Sequence, residues 1–338
     1  MLNTFSQRYF PSLDALLRQI VDSAPVETPD YGVMLRYPLG WVDANNQPHQ
    51  QPTGKRIRPL LLLLCCEAAG GDWQQALPAA AAVELLHNFS LIHDDIQDDS
   101  PTRHNRPTVW KVWGIANGIN AGDAMFTLAY VALAHLIERG VAPEGVFACW
   151  QNFNGTAIEL TRGQHLDMRY ERQPIVSVED YITMISGKTA ALVACCAQLG
   201  ALIASGDELI ASYYASFGLN LGIAFQIRDD ILGIWGEPDV TGKSAATDIL
   251  TRKKSLPVLH GLQHNVDLRA IYAQPSLNDA DVQHVIALLD ATDTLGYTRQ
   301  QEAKFYQRAI DALTNANPQG TAAQGLTALI EMLFQRAN

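Results

Sequence analysis

Apolar residues recur at helical spacing through most of the chain, and no stretch shows the alternation of apolar and polar residues that is typical of a strand. The pattern predicts helices at about residues 3–24, 57–69, 73–96, 119–138, 143–171, 177–186, 189–204 and 207–235. Three or four shorter helices are expected between 254 and 336, and polar loops at 42–54 and 236–248. We therefore predict an all-α fold, with residues 1–338 forming a single domain. This domain would be a bundle of roughly ten or more helices around a central cavity.

Composition and charge narrow the possible functions. Hydrophobic residues make up 48% of the 338 residues, which is enough for a large core. The formal net charge of −11 argues against nucleic acid as a partner, because binding a phosphate backbone calls for a basic surface. The five cysteines lie in apolar stretches without metal-binding spacing, which indicates free thiols in a reducing compartment.

The apolar stretches at 60–70 and 189–205 are interpreted as buried helices of a soluble protein. The first is too short to span a bilayer, and the second carries Gln198. The N-terminal residues lack the basic and apolar regions of a signal peptide. We therefore expect a cytoplasmic protein without membrane insertion.

The sequence HDDIQDD ends a strongly apolar predicted helix. At 100° per residue, Asp94, Asp95 and Asp98 lie at about 0°, 100° and 40°, so they share one face. Their ionised carboxylates repel one another, and a divalent cation such as Mg²⁺ relieves that repulsion. For a single motif of this kind the alternative is a solvated acidic turn.

A second pair, Asp229 and Asp230, also ends an apolar helical stretch, which favours a shared metal site facing an apolar cavity. Basic clusters occur around both motifs: GKRIRP (54–59), Arg103 with Arg106, GKT (187–189), GK (242–243) and RKK (252–254). The sequence thus combines carboxylates that can bind metal, cations that can bind phosphate and an apolar cavity that can hold a hydrocarbon tail. This combination indicates a lipid diphosphate as substrate.

Seven motifs occur in a characteristic order over about residues 30–260: GKRIRP, LIHDDIQDDSPTR, GDAMF (122–126), GQHLD (163–167), GKTA (187–190), FQIRDD (225–230) and GKSAATDILTRKKSLP (242–257). In these motifs the chain resembles the trans-isoprenyl diphosphate synthases of the polyprenyl synthetase family. The resemblance implies the all-α isoprenoid synthase fold, usually as a homodimer. It also implies an Mg²⁺-dependent prenyltransferase, which condenses isopentenyl diphosphate with an allylic prenyl diphosphate to give a short-chain all-trans product.

The resemblance also implies roles for individual residues. The metal ligands would be Asp94, Asp95, Asp98, Asp167 and Asp229, and the catalytic group would comprise Asp94, Asp95, Asp98, Arg103, Lys188, Asp229 and Asp230. Isopentenyl diphosphate would be bound by Lys55, Arg58 and His87, and Arg103 would bind the allylic diphosphate. Further diphosphate contacts would come from Lys188, Thr189, Gln226, Lys243 and Lys253.

Two positions depart from the family pattern. His104 stands where the family commonly has a second arginine for isopentenyl diphosphate, so either a protonated His104 or Arg106 would supply that contact. Gly233 replaces the last carboxylate of the second DDxxD motif, and Asp248 lies too far along the chain to substitute for it by helical spacing, although a loop could return it. We expect Gly233→Asp to leave activity unchanged or to raise it modestly.

Two alternative functions compete with chain elongation. A terpene cyclase on the same fold would ionise one diphosphate and would need no site for isopentenyl diphosphate, whereas GKRIRP and His87 are both present. A non-catalytic subunit of a heteromeric synthase would not need the complete set of Asp94, Asp95 and Asp98. The sequence therefore favours the chain-elongating enzyme.

Residues just before the first aspartate motif would set the product length. Ser90 lies about 40° from Asp94 in azimuth and can face the tail pocket, whereas Phe89 lies about 140° away. The placement of Phe89 as the pocket floor therefore rests on the family resemblance. An aromatic residue followed by a small one at these two positions resembles the C20-forming type. We predict geranylgeranyl diphosphate as the main product, with farnesyl diphosphate as the alternative.

Overall fold

Helices follow one another along the whole chain in the computed structural model, which describes residues 1–24, 28–49, 54, 56–173, 175–236, 247–274 and 276–334. The α-helices of the first half are α1 (Leu2–Asp22), α2 (Pro29–Arg36), α3 (Ile57–Ala68), α4 (Trp73–Gln97), α5 (Val109–Trp113), α6 (Ile115–Ala134) and α7 (Pro143–Arg172). Those of the second half are α8 (Val178–Ile185), α9 (Ala191–Ser205), α10 (Glu208–Trp235), α11 (Thr247–Leu250), α12 (Leu256–His264), α13 (Val266–Tyr272), α14 (Asp279–Ala291), α15 (Thr294–Ala316) and α16 (Gly320–Phe334). The predicted all-α class is confirmed.

The chain divides into two compact units. The first comprises Met1–Ala157, Cys195–Tyr214 and Ala316–Leu326, and the second comprises Ile158–Ala194, Ala215–Asn315 and Thr327–Asn338. The organisation of residues 1–338 as one domain stays a prediction.

Helix α4 lies at the centre of the first unit, where it packs against α3 and α6. Four consecutive alanines, Ala79 to Ala82, have no exposed surface, so the helix is enclosed on all sides there. Asp72 caps its N-terminus by accepting a hydrogen bond from the Gln74 N–H at 2.9 Å. The helix ends with Asp98 as its C-cap, so the first aspartate motif occupies its last turn.

A short hairpin follows α4 and is an element that the sequence pattern did not predict. Strand β1 (Thr102–Arg103) pairs in antiparallel fashion with β2 (Arg106–Pro107), and Arg103 lies opposite Arg106. His104 and Asn105 form the turn with φ angles of 52° and 59°. Two successive positive φ values are typical of the tight turns that match the twist of a hairpin.

In the second unit, a π-helical turn, Ser186–Ala190, joins α8 to α9 without a break. The sequence pattern predicts two separate helices at 177–186 and 189–204, and this separation is wrong. The helical run Val178–Ser205 is also the one segment in the described part of the chain that is long and apolar enough to cross a membrane. Because 56% of its most apolar window is buried, it also fits a core helix.

The C-terminal region contains five helices, α12 to α16, rather than the three or four that were predicted. An additional boundary falls at Asn265, whose extended backbone ends α12 and whose side chain accepts hydrogen bonds from the first N–H groups of α13. Another falls at Asp293, which has a φ of 49°. Neither boundary contains the glycine or proline that marks a helix end in a sequence.

Candidate active site

A cavity of about 250 Å³ opens beside the last turns of α4, within the first unit. One face of α4 lines it through Glu84, His87, Asn88, Leu91 and Asp95, whose spacing of three and four residues puts them in one stripe. Seven basic side chains share the lining: His49, Arg56, Arg58, His87, Arg103, His104 and Arg106. Five of the predicted site residues are therefore brought together: Arg58, His87, Asp95, Arg103 and His104.

His87 and Arg58 both line the cavity, with 3.1 Å between His87 Nε2 and Arg58 Nη1. Burial, together with the positive charges of Arg58, Arg103 and His104, holds the pKa of His87 well below its usual range. A guanidinium can only donate, so the neutral imidazole accepts this hydrogen bond through Nε2. The Arg58 Nε–H is buried and has no hydrogen-bond partner among the described residues.

Arg56 and Glu84 form a second charged group at the cavity wall. Arg56 Nη1 lies 2.5 Å from Asp14 Oδ1, and its Nε lies 4.0 Å from Glu84 Oε1. Burial raises the pKa of Glu84, although the nearby Arg56 and Arg58 oppose the rise. Sequence reasoning missed both residues. Glu84 could have been found from its position three residues before His87 on the same helical face.

Arg103 connects the hairpin to the first aspartate motif. Its Nε donates to Asp95 Oδ1 at 2.8 Å, and its Nη2 donates to Asp94 Oδ2 at 3.2 Å. Asp95 is only 5% exposed, and burial raises its pKa although Arg103 opposes the rise. Asp98 is exposed at the end of the helix. The first motif therefore presents one buried, one half-buried and one exposed carboxylate.

The hairpin carries both His104 and Arg106, the two candidates for the additional contact to isopentenyl diphosphate, and it places them differently. Arg106 donates to the carbonyl oxygens of Tyr37 and Val42 at 3.3 and 2.9 Å, and its guanidinium lies 4.0 Å from the centroid of the Tyr37 ring. His104 is exposed at the turn and also lines the cavity. Arg106 is thus held by the backbone, whereas the His104 ring stands at the tip of the hairpin.

Lys188 and Asp167 meet in the second unit, where Lys188 Nζ lies 2.5 Å from Asp167 Oδ2. Lys188 belongs to the π-helical turn that packs against α7. The packing is close, because a Cβ added to Gly163 would overlap the backbone of Lys188. The two glycines, Gly163 and Gly187, let the backbones approach far enough for this ion pair to form.

Asp230 is the centre of a buried hydrogen-bond network in the second unit and is 1% exposed. Its carboxylate accepts from the Tyr181 hydroxyl (2.5 Å), the Leu256 N–H (3.0 Å) and the Gln226 amide (3.3 Å). The Gln226 Oε1 accepts in turn from the Thr189 hydroxyl at 3.0 Å. Burial raises the pKa of Asp230, and the neighbouring Lys253 opposes the rise. Asp229 is exposed at the adjacent position.

Asp248 stands where the missing carboxylate of the second motif would be. A Cβ built on Gly233 would lie 2.6 Å from Asp248 Oδ2. The chain thus returns Asp248 to α10, which is the possibility that the sequence left open, although a short helix, α11, carries it rather than a loop. Lys253 Nζ lies 3.6 Å from the same Asp248 oxygen.

The two basic residues on either side of Lys253 bind backbone carbonyl oxygens. Lys254 Nζ donates to the Tyr170 carbonyl at 2.7 Å and also contacts the Gln173 carbonyl, so it caps the C-terminal end of α7. Arg252 donates to the Gln274 carbonyl at 2.6 Å. Lys55 and Lys243, both predicted to bind diphosphate, lie outside the described residues.

The predicted chain-length residues lie on α4 beside a row of aromatic rings. The half-buried Phe89 has its ring centroid 5.0 Å from that of Phe126, which lies 5.2 Å from that of Tyr130. The Tyr130 hydroxyl donates to Asn154 Oδ1 at 2.6 Å. Ser90 donates to the His87 carbonyl oxygen at 2.8 Å. The role of Phe89 and Ser90 in setting product length stays a prediction.

The acidic residues fit a metal ion that is bound only partly by protein. In the described ranges, no group of three or more His, Cys, Asp or Glu side chains has the arrangement of a metal site. Mg²⁺ is commonly bound by one or two carboxylates, with substrate phosphates and water completing the octahedron. Asp94 and Asp95 offer hard carboxylate oxygens beside a cavity lined with cations. That donor set matches such a partial site.

Comparisons with known proteins identify the family of the chain. The sequence profile of the polyprenyl synthetase family matches residues 40–289. The chain is 38% identical over 308 residues to a geranylgeranyl diphosphate synthase of Mycobacterium tuberculosis, covering 90% of this chain and 86% of that protein. It is 41% identical over 248 residues to a (2E,6E)-farnesyl diphosphate synthase of Mycobacterium bovis, covering 73% and 67%. A polyprenyl synthetase structure from Streptomyces coelicolor A3(2) superimposes with a TM-score of 0.89 at 33% identity, covering 98% of this chain and 99% of that one. The chain therefore belongs to the polyprenyl synthetase family and is a trans-prenyltransferase.

Proposed function

We propose that this prenyltransferase condenses isopentenyl diphosphate with an allylic prenyl diphosphate, and that its main product is geranylgeranyl diphosphate. The observation that carries the proposal is the cation-lined cavity, whose lining includes Arg58 with its buried and unpartnered Nε–H. A buried donor without a partner is costly, and a diphosphate oxygen would satisfy it. The curated relatives named as geranylgeranyl and farnesyl diphosphate synthases support the substrate class and the short product.

Isopentenyl diphosphate is the substrate proposed for this cavity, where Arg58, His87 and His104 would bind its diphosphate. The neutral His87 leaves Arg58 charged and oriented, because it accepts from Nη1 while Nε stays available for the ligand. Lys55 is proposed as a further contact. The cavity thus holds the homoallylic double bond in a fixed position, which lowers the entropic part of the barrier.

The allylic diphosphate is proposed to be bound by Arg103 and, in the second unit, by Lys188, Thr189, Gln226, Lys243 and Lys253. As the allylic C–O bond breaks, the diphosphate leaves with the bonding electron pair, and these cations and donors stabilise its growing negative charge. The double bond of isopentenyl diphosphate attacks the allylic cation to form the new C–C bond. A proton is then lost to the departing diphosphate, which would make a protein base unnecessary.

Mg²⁺ is the metal ion we propose, with Asp94, Asp95, Asp98, Asp167 and Asp229 as its protein ligands. When bound, it would add electrostatic stabilisation to the leaving diphosphate. Arg103 contacts Asp94 and Asp95 in this structure and would turn to the diphosphate as the substrate binds.

We also propose that the enzyme is a cytoplasmic homodimer without membrane insertion. Large apolar side chains are exposed on α6 and on the first half of α7, among them Ile119 (43%), Phe147 (59%) and Trp150 (44%). Exposed apolar surface of this kind is typical of a protein–protein interface. A second copy of the chain would cover it.

Product analysis tests the function directly. The purified protein is incubated with isopentenyl diphosphate, one of three allylic primers (C5, C10 or C15) and Mg²⁺, and products are identified by liquid chromatography with mass spectrometry. We expect a C20 diphosphate, no product with excess chelator, and a loss of turnover of several orders of magnitude in Asp95→Ala. A hydrocarbon or alcohol product would identify a cyclase instead, and no product would identify a non-catalytic subunit.

Phe89 and Ser90 variants test the length assignment in the same assay. Phe89→Ala should lengthen the product if the ring closes the tail pocket, and Ser90→Phe should shorten it. A Phe89→Ala enzyme that is less stable but still makes the wild-type product would place the floor of the pocket elsewhere.

A further inference from the structure

Tyr181 is a fully enclosed tyrosine on α8, 2% exposed, whose hydroxyl donates to Asp230 Oδ2 at 2.5 Å. No role has so far been given to it. Both groups lie in the second unit, and each is removed from water. Burial and the Asp230 carboxylate raise the pKa of Tyr181 well above its usual value, so the hydroxyl keeps its proton and acts as a donor.

The Asp230 carboxylate is fully engaged within the protein. Its Oδ2 accepts from the Tyr181 hydroxyl and from the Leu256 N–H, and its Oδ1 accepts from Gln226 Nε2. These donors come from three different helices, α8, α12 and α10. The carboxylate is therefore held in one orientation by contacts from several sides.

The orientation of the Asp230 carboxylate determines which way the side-chain amide of Gln226 is turned. An ionised carboxylate only accepts hydrogen bonds, so Gln226 must turn its Nε2 towards Asp230. Its Oε1 then points to the Thr189 hydroxyl, which donates to it at 3.0 Å. Donation in this network converges on Asp230: Tyr181 donates to it from one side, and Thr189 donates to Gln226, which donates to it from the other.

We propose that Tyr181 is a positioning residue, whose hydroxyl fixes the Asp230 carboxylate and through it the Gln226 and Thr189 side chains that bind the allylic diphosphate. The proposal deepens the function proposed above and rests on it. Asp230 also accepts from the first N–H of α12, three residues after Lys253, so the same carboxylate fixes the backbone beside that lysine. Tyr181 itself touches no substrate in this scheme.

Tyr181→Phe removes the hydroxyl and keeps the ring, so it isolates the hydrogen bond. A hydrogen bond to a charged group contributes more than one between neutral groups. We expect kcat/KM for the allylic diphosphate to fall by about tenfold or more. The KM for isopentenyl diphosphate should stay within about twofold of the wild-type value, because its proposed cavity lies among other residues.

Tyr214→Phe is the matched control, because Tyr214 is also a buried tyrosine but its hydroxyl has no hydrogen-bond partner in the part of the chain that the structure describes. This variant loses the same atom and should keep both kinetic constants. The wild type, Tyr181→Phe and Tyr214→Phe are assayed at a temperature at which circular dichroism shows each of them folded. A loss of activity is then not caused by unfolding. Thr189→Val removes the far end of the network and should shift the allylic constants in the same direction as Tyr181→Phe.

Wild-type allylic constants in Tyr181→Phe, with an active parent enzyme, would overturn the positioning role and leave the proposed function standing. An equal loss for both substrates would also overturn it, since that is the expected effect of a general structural change. An inactive parent enzyme would overturn the proposed function and the positioning role with it.

Discussion

At the scale of single residues, the surroundings of His87 in the cavity keep its side chain neutral. Its imidazole lies against Arg58, and the positive charges around it disfavour a further proton. Keeping this histidine neutral avoids repulsion inside the site, and it leaves the ring free to accept from the guanidinium. The arrangement has a consequence for stability, because the same histidine takes up a proton readily once the chain unfolds.

The pKa of His87 is lowered in the folded protein, so unfolding should bind one additional proton as pH falls below about 6.5. As the pH falls, the protonation of His87 in the unfolded chain should then lower the free energy of unfolding by up to about 1.4 kcal/mol per pH unit, until the pH reaches the pKa of His87 in the folded protein. His87→Gln keeps an acceptor for Arg58 but cannot titrate. We expect its unfolding free energy, measured by urea denaturation at several pH values, to fall less steeply below pH 6.5. Parallel curves for the two proteins would contradict the neutral state of His87.

Gly233 is a second residue whose role depends on its neighbour. Its missing side chain leaves room for the Asp248 carboxylate, so the space is already filled. This changes the expectation that Gly233→Asp would be harmless. An added Cβ must displace Asp248, and an added carboxylate would also meet a like charge at close range.

We predict that Gly233→Ala lowers both thermal stability and kcat, because the new Cβ would lie 2.6 Å from Asp248 Oδ2. The matched control is Gly155→Ala on α7, where an added Cβ meets nothing within 4 Å. That substitution should stabilise the protein by roughly 0.5–1 kcal/mol through helix propensity. Adding Asp248→Ala to Gly233→Ala should restore thermal stability without restoring turnover. Equal effects of the two alanine substitutions on melting temperature would show that Asp248 can move without cost.

Asp248 also shows where sequence reasoning reached its limit for the site. Carboxylates at helical spacing could be assigned to one face, which is how Asp94, Asp95 and Asp98 were found, whereas His87 was assigned through the family resemblance. A residue brought back by a separate element has no such spacing, so its position depends on tertiary structure alone. The same holds for Tyr181, which meets Asp230 across 49 positions of sequence.

At the scale of elements, the hairpin after α4 determines where Arg103 stands. It is only two residue pairs long, but Arg106 anchors it to the carbonyl oxygens of Tyr37 and Val42. The Tyr37 hydroxyl donates to the Pro107 carbonyl oxygen at 2.7 Å, which adds a second connection to the same segment. Arg103 lies directly opposite Arg106 in this ladder and shares its fixed position.

We predict that Arg106→Met lowers kcat by about tenfold or more, since the hairpin would lose both carbonyl contacts and Arg103 would be held less firmly. Lys111→Met is the control. Lys111 is an exposed cation beside the Trp110 ring, so the change in net charge is the same while the hairpin is untouched. Steady-state kinetics gives the kcat of both variants for comparison with that of the wild type. A loss of equal size in Lys111→Met would mean that total charge, and not the anchoring of the hairpin, limits the rate.

The helices were predictable because burial of one or more faces leaves an apolar repeat in the sequence. The long elements α1, α3, α4, α7 and α10 therefore appear close to their predicted bounds. The hairpin was not predictable, because two residues per strand are too few to show a period of two. The boundary at Asn265 was missed because asparagine marks it through a cap, and a cap is visible only once the helix start is known.

At the scale of the whole molecule, charge is distributed unevenly. The protein carries a formal net charge of −11, yet basic side chains outnumber acidic ones in the lining of the cavity in the first unit. An acidic protein that binds anions needs such local concentrations of cations, and they focus the field towards the site.

The exposed apolar side chains on α6 and α7 lead to a prediction about assembly. If a second copy covers them, Phe147→Glu should convert a dimer to a monomer, because burying an unpaired carboxylate is costly. Ile175→Glu is the control, since Ile175 is 81% exposed at a different place and should tolerate a charge. Light scattering coupled to size-exclusion chromatography measures the mass of each protein. A wild-type monomer, or a dimer that survives Phe147→Glu, would contradict the proposed interface.

The π-helical turn at Ser186–Ala190 amounts to a one-residue insertion that the helix has absorbed without breaking. Removing one residue from this turn would allow the regular i to i−4 ladder to run on from α8 into α9. Every side chain beyond the deletion would then rotate by about 100° relative to those before it. Lys188 and Thr189 could not both keep their present directions towards Asp167 and Gln226. A deletion that makes the helix more regular should therefore abolish turnover, although each of these side chains is still encoded.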